Sequence, residues 1–235
     1  MNQLPIMVIT GTSKGIGRGL AEYFVNHGYL VAGCSRGSTT FLNDAYCHDE
    51  VDIGDSAQVR AWIRSIKRKF GRIDVLICNA GIAPANLLLT MTSDEVLDNV
   101  FHANIKGTFQ VCREVSKVMM MQRSGRIITL SSMAVGLHEE GTAAYSASKS
   151  GIVEMTKILA KELAPMGITC NVLAPSMVMT DLVEVLGESI IARALEKLTI
   201  KRVLSIREVA NVVEFFSAPE SSCVTGQVVH MGLVV

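Results

Sequence analysis

The sequence predicts an α/β protein. Its expected architecture is a doubly wound parallel sheet with helices on both faces, which gives a three-layer αβα arrangement. Two features support this prediction, since short apolar runs alternate with longer amphipathic stretches and a glycine-rich turn follows the first run. Hydrophobic residues make up 49% of the 235 residues and charged residues 19%, a balance that excludes a disordered chain. Because no internal repeat or linker divides the sequence, we expect a single domain over residues 1–235.

Seven apolar runs have the length of buried strands, and the stretches between them repeat apolar residues at helical spacing. Strands that alternate with helices in this way need right-handed crossovers, which make the sheet parallel and cover both of its faces. The predicted strands are residues 6–10, 29–34, 46–48, 73–78, 126–130, 168–173 and 227–230. The predicted helices are residues 16–27, 56–70, 93–122, 144–163, 181–200 and 206–216.

Charge balance and cysteine pattern exclude several classes of function. The 22 basic and 22 acidic side chains cancel, so the chain offers no electrostatic attraction to nucleic acid or an anionic membrane. The six cysteines form no C-x-x-C pair and the five histidines lack metal-ligand spacing, so no metal site is expected. Free thiols in apolar runs, no basic leader and no run near the roughly 20 apolar residues of a spanning helix predict a cytoplasmic protein.

A glycine-rich turn joins the first predicted strand to the first predicted helix, where a doubly wound sheet binds a dinucleotide. Gly11, Gly15 and Gly17 are spaced G-x-x-x-G-x-G. Such a turn lets the backbone approach a pyrophosphate, and the helix N-terminus supplies free N–H groups. Ordinary strand-to-helix turns also contain glycine clusters, but the position after the first strand favours the nucleotide site. The residues assigned to it here are Gly11, Ser13, Lys14, Gly15, Ile16 and Gly17.

Five features spread along the chain resemble the short-chain dehydrogenase/reductase family. They are Thr10-Gly11-x-x-x-Gly15-Ile16-Gly17, Asn79-Ala80-Gly81, Asn104, Ser132 placed 13 residues before Tyr145, and Tyr145-x-x-x-Lys149. The resemblance covers essentially the whole chain and is greatest to the 3-oxoacyl-[acyl-carrier-protein] reductases of the single-domain branch. It implies a Rossmann fold and an NADP-dependent oxidoreductase.

The end of the second strand decides between the two nicotinamide dinucleotides, because an acid there binds a free ribose 2′-hydroxyl and repels a 2′-phosphate. This chain has Cys34-Ser35-Arg36 at that point and Lys14 in the glycine turn, without an acid. The resemblance implies that this combination selects NADP(H), although Arg36 taken alone is equally consistent with a solvated loop charge. It adds the following residues to the cofactor site: Ser35, Arg36, Asp52, Ile53, Asn79, Ala80, Gly81, Tyr145, Lys149, Pro175, Val178 and Thr180.

Two of these cofactor assignments have structural alternatives. The family residue matched by Asp52 accepts from the adenine amino group, but a loop carboxylate is the other interpretation, with Asp55 the better cap for the next helix. Asn79 is alternatively a brace of the sheet rather than a contact to cofactor.

Tyr145 and Lys149 lie four residues apart in a predicted helix, so their side chains share one face. A phenol has a pKa near 10 and transfers protons poorly at neutral pH, and a nearby ammonium lowers that pKa. The resemblance implies that Ser132 hydrogen-bonds the substrate carbonyl, that Tyr145 protonates its oxygen, and that Lys149 binds the nicotinamide ribose. It also implies that Asn104 holds a water between Lys149 and solvent.

The reaction implied by the resemblance is NADPH-dependent reduction of a ketone to a secondary alcohol, on a small-molecule or acyl-thioester carbonyl substrate of the 3-oxoacyl type. Met133, Met177 and Met179 flank the site and are expected to line an apolar pocket, within a substrate loop around residues 176–204. The alternatives are a dehydrogenase of a free alcohol, sugar or steroid, and a non-catalytic NADP(H) sensor. The intact set of four catalytic residues argues against the sensor.

Relatives that act on carrier-bound substrates present basic residues beside the active-site mouth. This chain keeps Arg123 but has Met166 at the second position, which predicts little preference for a carrier protein.

Two departures from the family pattern concern local structure and assembly. Ser176 follows Pro175 where the family usually has glycine. The C-terminus keeps Thr225-Gly226 but lacks the Asp-Gly-Gly ending that packs at a subunit interface in many relatives, which puts that tetramer contact in doubt. A homodimer through the helices of residues 93–122 and 145–163 is expected, or a homotetramer built on it.

Overall fold

A computed structural model describes residues 4–180, 183 and 188–235. These residues form a seven-stranded sheet in the order β3-β2-β1-β4-β5-β6-β7, and every neighbouring pair is parallel. The strands are β1 (Ile6–Thr10), β2 (Leu30–Ser35), β3 (Tyr46–Glu50), β4 (Val75–Cys78), β5 (Gly125–Leu130), β6 (Ile168–Pro175) and β7 (Val228–Met231). The predicted parallel sheet is confirmed, with strand ends within about three residues of the predicted ones.

Helices cover both faces of the sheet, as predicted. They are α1 (Gly15–Val25), α2 (Ser56–Phe70), α3 (Asp94–Phe101), α4 (Thr108–Gln122), α5 (Ala134–Leu137), α6 (Ala143–Leu163), α7 (Glu188–Glu196) and α8 (Ile206–Ser217). The predicted helix over residues 181–200 falls partly on residues 181, 182 and 184–187, which lie outside the described residues. No helix in the described part of the chain is long and apolar enough to cross a membrane.

The core consists of two apolar layers, one on each face of the sheet. Successive residues of β1 alternate between them: Val8 packs with α2, α4 and α6, whereas Met7 and Ile9 pack with α1 and α8. All five residues of β1 are buried, which explains why this strand appears in the sequence as a continuous apolar run.

The long helical region predicted over residues 93–122 is continuous in the structure, but its middle is π-helical. The structure has α3, then a π-helical segment over His102–Gly107, then α4. The π-helical segment carries Asn104, whose carboxamide exchanges two hydrogen bonds with the backbone of Ile82. A widened turn adds a residue to the helix and changes the direction of its side chains, a feature common at functional sites. Hydrophobic spacing alone does not reveal it.

The strand order reverses direction between β1 and β4. Helix α1, which follows β1, packs on one face of the sheet, whereas α4 packs on the other face. In open α/β sheets the crevice at such a switch point, at the carboxyl ends of the strands, is where ligands bind. The glycine turn after β1 and Asn79-Ala80-Gly81 after β4 lie at this edge.

Candidate active site

The turn between β1 and α1 has the features of a phosphate-binding site. Lys14 occupies the N-cap of α1 without a capping hydrogen bond from its side chain, and the first turn contains no acidic residue. Gly15 has a φ of +63°, and a Cβ at this position would meet no atom within 4 Å. An uncapped helix N-terminus beside open space suits an anion, since its N–H groups carry partial positive charge. The residues present therefore fit a dinucleotide pyrophosphate.

The other two glycines of the turn are needed for close packing, while their contact to a cofactor remains a prediction. A Cβ at Gly17 would lie 2.3 Å from the Gly11 carbonyl oxygen and 2.3 Å from Asn79 Nδ2. A Cβ at Gly11 would lie 2.9 Å from Ala80 Cα. These glycines allow the turn to pack directly against the segment after β4.

Asn79 joins the two halves of the crevice. Its Nδ2 donates to the carbonyl oxygens of Thr10 and Gly11 at 2.9 and 3.2 Å. The backbone N–H groups of Asn79 and Ala80 both donate to Thr10 Oγ1, at 3.1 and 3.0 Å. Of the two interpretations open for Asn79, the structure supports the brace, which fixes the glycine turn relative to β4.

The end of β2 places two free cations near the glycine turn. Arg36 and Lys14 are exposed, and neither side chain has an ion-pair partner in the described part of the chain. The preceding Ser35 is half-buried, and its hydroxyl donates to the Gly37 carbonyl oxygen at 2.7 Å. Two unpaired cations with a serine hydroxyl and no acid in the turn fit a 2′-phosphate.

Asp52 and Ile53 lie in the loop between β3 and α2. One carboxylate oxygen of Asp52 accepts from the Gly54 N–H at 2.8 Å. Asp55, not Asp52, caps α2, because its Oδ1 accepts from the N–H groups of Ala57 and Gln58. Ile53 is buried. Asp52 is thus oriented by its own loop, and its contact to adenine remains a prediction.

The catalytic hydroxyls meet above the carboxyl end of β5. Ser132 follows that strand, Tyr145 lies in the first turn of α6, and the two hydroxyls lie close enough to interact. Burial raises the pKa of Tyr145 above 10, and the Ser132 hydroxyl opposes this rise to a smaller extent. Lys149 does not contribute to the pKa shift of Tyr145 in this structure, so lowering of that pKa by the lysine remains a prediction.

Lys149 lies one helical turn beyond Tyr145 and is buried, with 5% of its surface exposed. Its Nζ donates to the Leu130 carbonyl oxygen at 2.9 Å and lies 5.9 Å from the centre of the Tyr145 ring. Burial lowers the pKa of Lys149 from its ordinary 10.5 to about 8, because an ammonium loses its hydration there. The ammonium is therefore buried near the Tyr145 ring and held by the Leu130 carbonyl.

Asn104 is fully buried between the catalytic helix and the loop after β4. Its Nδ2 donates to the Ile82 carbonyl and to Ser148 Oγ at 3.0 and 2.9 Å, while its Oδ1 accepts from the Ile82 N–H. Both amide hydrogens are thus used, so a water could be held only by the remaining lone pair of Oδ1. Gly81 leaves space beside that oxygen, since a Cβ there would lie 2.9 Å from it.

The last residue of β6 and the segment after it hold Pro175, Val178 and Thr180 of the predicted cofactor set. Ser176 is buried with its Oγ unpaired, and a Cβ at Gly232 would lie 2.6 Å from that oxygen. The serine therefore occupies space left by the absent side chain of Gly232. This explains how the chain accommodates the departure from the family pattern at Ser176.

Two groups of predicted site residues have different outcomes. Met133 and Met177 are half-buried and Met179 is 44% exposed, so their role in a substrate pocket remains a prediction.

Arg123 contacts Met166 and the Pro165 carbonyl, which brings the two carrier-related positions together. However, Arg123 precedes β5 whereas Ser132 follows it, so within one subunit they lie at opposite edges of the sheet, roughly 20 Å apart along a six-residue strand.

Sequence reasoning missed two residues that the structure places at this site. Ser148 links Asn104 to the Tyr145 carbonyl, to which its hydroxyl donates at 2.7 Å. His48 contacts Ser35 beside the proposed phosphate site. Ser148 lies beside the Tyr-x-x-x-Lys motif and could have been suspected, whereas no sequence signal connects His48 with Ser35. Among the described residues no cluster of potential metal ligands occurs.

Known proteins resemble this chain over nearly its full length. A family model described as Enoyl-(Acyl carrier protein) reductase matches residues 11–232. The 3-oxoacyl-[acyl-carrier-protein] reductase FabG of Salmonella typhimurium is 34% identical over 232 residues, which is 96% of this chain and 95% of that protein. The protein of the same name from Staphylococcus aureus is 34% identical over 235 residues, 95% of each chain.

Solved structures give the same result. ElxO with NADP bound superposes with a TM-score of 0.92 and 26% identity over 97% of both chains. The 3-ketoacyl-(acyl-carrier-protein) reductase from Brucella melitensis complexed with NADH gives a TM-score of 0.89 and 26% identity over 96% of both chains.

The fold and the site define a nucleotide-dependent oxidoreductase. The chain belongs to the short-chain dehydrogenase/reductase family.

Proposed function

We propose that this enzyme is an NADPH-dependent ketoreductase that reduces the 3-oxo group of an acyl thioester to a secondary alcohol. One observation carries the proposal: the hydroxyls of Ser132 and Tyr145 lie close together beside a buried Lys149 at the switch-point edge. Relatives that are 34% identical and named 3-oxoacyl-[acyl-carrier-protein] reductases support the substrate class.

Bound NADPH supplies the hydride in this reaction. The pyrophosphate is held by the turn around Gly15 and the N-terminus of α1, and the 2′-phosphate by Ser35, Arg36 and Lys14. The relative from Brucella melitensis has NADH bound, so the preference for NADPH rests on this chain's own residues. An exposed guanidinium and an exposed ammonium without ion-pair partners in the described part of the chain favour the phosphorylated cofactor.

The two hydroxyls polarise the substrate carbonyl. Ser132 donates a hydrogen bond to the carbonyl oxygen, and Tyr145 donates a second bond and then transfers its phenolic proton to that oxygen. Because burial raises the pKa of Tyr145, the phenol keeps its proton until negative charge develops on the substrate oxygen. Lys149, with a pKa of about 8, is still largely protonated at neutral pH and holds positive charge beneath the ring. Asn104 fixes the loop after β4 beside this pair.

Reduction of a carbon–carbon double bond is the second candidate, because the matching family model is described as an enoyl reductase. Two hydroxyls that converge on one point fit a carbonyl oxygen, where the proton is delivered, better than an alkene carbon. A dehydrogenase of a free alcohol, sugar or steroid would use the same catalytic groups and differs only in its substrate.

The enzyme acts as a homodimer in this proposal. Large apolar side chains are exposed on α3, α4 and α6, which are the helices through which two subunits are expected to pack. They are Leu97, Phe101, Phe109, Met120, Met121 and Ile158, exposed by 38% to 80%.

A cytoplasmic location fits its six cysteines, all free thiols. The whole chain acts as a single domain, with residues 176–204 as its substrate loop.

The test is a substrate panel run with a matched pair of variants. Wild-type enzyme is assayed by NADPH absorbance on 3-oxoacyl, 2-enoyl and free-ketone substrates. Tyr145→Phe should lower the rate on the best substrate by at least a hundredfold and change NADPH affinity less than threefold, because only the proton donor is lost. His138→Ala, a change in an exposed loop residue of the same region, should leave both values unchanged. A Tyr145→Phe rate above a tenth of wild type contradicts the mechanism, and a preference for the enoyl substrate contradicts the proposed reaction.

A further inference from the structure

A chain of polar side chains connects the glycine turn, the end of β2 and the edge strand β3. Thr12, Tyr46, His48 and Ser35 are its members. The Tyr46 hydroxyl donates to Thr12 Oγ1 at 2.8 Å and lies 2.8 Å from His48 Nδ1. On the other side of the imidazole, Nε2 lies 3.1 Å from Ser35 Oγ and 3.0 Å from the Gly37 carbonyl oxygen.

His48 thus holds the turn that carries the proposed 2′-phosphate ligands. The Gly37 carbonyl can only accept, so Nε2 carries a proton and donates to it. Ser35 Oγ donates to the same carbonyl oxygen, which closes the turn over Arg36. The imidazole is half-buried and has partners on both of its nitrogens, so its orientation is fixed.

The local packing is built around this arrangement. Gly33 on β2 pairs in register with His48 on β3. A Cβ at Gly33 would lie 2.4 Å from Thr12 Oγ1 and 2.5 Å from the Tyr46 hydroxyl. Only glycine at this position leaves room for the tyrosine to reach the threonine. Thr12 is fully buried and belongs to the glycine turn, so the chain of contacts also connects the two predicted phosphate sites.

We propose that His48 is a positioning residue for cofactor selectivity: it holds the Ser35–Gly37 turn in the shape that presents Ser35 and Arg36 to a 2′-phosphate. Its effect falls mainly on the phosphorylated cofactor, because Arg36 forms a charge-assisted contact with a 2′-phosphate and meets only a neutral 2′-hydroxyl in NADH. The inference rests on the proposed function, in which the Ser35–Gly37 turn is the phosphate site.

The test compares dissociation constants for NADPH and NADH in wild type and three variants, measured by cofactor fluorescence. His48→Ala should weaken NADPH by at least fivefold and change NADH by less than twofold. His48→Gln should restore NADPH binding to within twofold of wild type, because its amide nitrogen takes the place of Nε2. His48→Asn, whose amide takes the place of Nδ1, should behave as His48→Ala does.

A double-mutant comparison separates positioning from general loosening. In an Arg36→Ala background, His48→Ala should weaken NADPH by less than twofold, since the cation it positions is already gone. At saturating NADPH the turnover of His48→Ala should stay within twofold of wild type while its KM for NADPH rises. A residue with a purely structural role would instead lower turnover and weaken both cofactors together.

Each outcome has one meaning. Equal weakening of NADPH and NADH, or rescue by Asn rather than Gln, overturns the role of His48. A wild type that binds NADH as tightly as NADPH overturns the phosphate site itself, and with it the cofactor part of the proposed function. Should His48→Ala fail to fold, the Gln and Asn pair still decides the question.

Discussion

Replacing Lys149 with methionine should stabilise the cofactor-free enzyme while abolishing its activity. The ammonium is buried at the site, and burial lowers its pKa from 10.5 to about 8. Burial makes the charged form of this lysine less favourable in the folded protein than in the unfolded chain. The folded state is therefore destabilised at any pH at which the lysine carries its proton. Methionine has similar length and fills the same space without a charge.

The expected size of this effect follows from the pKa and from one lost contact. Lowering of the pKa from 10.5 to about 8 corresponds to about 3 kcal/mol, at about 1.36 kcal/mol for each pKa unit. Losing the bond from Nζ to the Leu130 carbonyl offsets about 1–2 kcal/mol of this. The net gain at pH 7 is about 2 kcal/mol, which for a chain of this size raises Tm by about 5 °C.

The pH dependence is the sharper part of this prediction. Between pH 8 and 10.5 the unfolded chain still holds the lysine proton that the folded chain has released, so wild-type stability rises with pH across this range. The penalty is therefore complete below pH 8 and gone near pH 10.5. Lys149→Met lacks this titration, so its advantage over wild type should be largest at pH 7 and shrink by about 3 kcal/mol by pH 10.5.

Urea denaturation of the cofactor-free proteins from pH 6 to 10.5 measures this difference. Lys157→Met is the matched control, because Lys157 lies in the same helix with its side chain 45% exposed and pairs only with exposed Glu154. It should differ little from wild type and show no trend with pH across this range. A Lys149→Met advantage that is flat between pH 7 and 10.5, or a variant less stable than wild type at pH 7, would refute the reasoning from burial.

Three further predictions test other parts of the structure. Ser35→Asp combined with Arg36→Gln should shift the ratio of NADPH to NADH affinity by at least tenfold towards NADH, since a charge-assisted phosphate contact is typically about 1.5–3 kcal/mol; an unchanged ratio means that the phosphate is held elsewhere. Because Met166 carries no charge and Arg123 lies at the sheet edge opposite Ser132 within one subunit, kcat/KM for an acyl-carrier substrate should exceed that of the matched acyl-cysteamine by less than about tenfold. A hundredfold, salt-sensitive preference for the carrier contradicts this. Gly17→Ala should prevent stable folding, because its Cβ would meet Asn79 and the Gly11 carbonyl. The control is Gly37→Ala, which has open space around its Cβ and should leave the Tm in thermal denaturation within about 2 °C of wild type.

Sequence by itself determined the fold class and predicted the candidate catalytic residues. Parallel strands buried on both faces must be continuous apolar runs, so β1 and β4 could be located from hydrophobicity alone. The glycine turn and the Tyr-x-x-x-Lys spacing depend on local backbone geometry, which short stretches of sequence encode. The predicted NADP(H) cofactor agrees with the NADP found in the related ElxO structure.

Only the tertiary structure decided how these residues act. The π-helical segment around Asn104 arises from bonds to the backbone of Ile82, which is distant in sequence, so helical periodicity could not predict it. Gly11 and Gly17 are required because Asn79 packs against them, and this contact depends on β1 and β4 being neighbours.

The tertiary structure also decided the pKa values of the site residues and the position of His48. The pKa of Lys149 is lowered because the fold buries it under the sheet edge, and that of Tyr145 is raised by the same burial. His48 gained its position beside Ser35 from the register of β3 against β2, which no local pattern records. Residue types and their spacing identify the chemistry, whereas burial and contacts between distant segments set its strength, because both depend on how the strands are ordered in space.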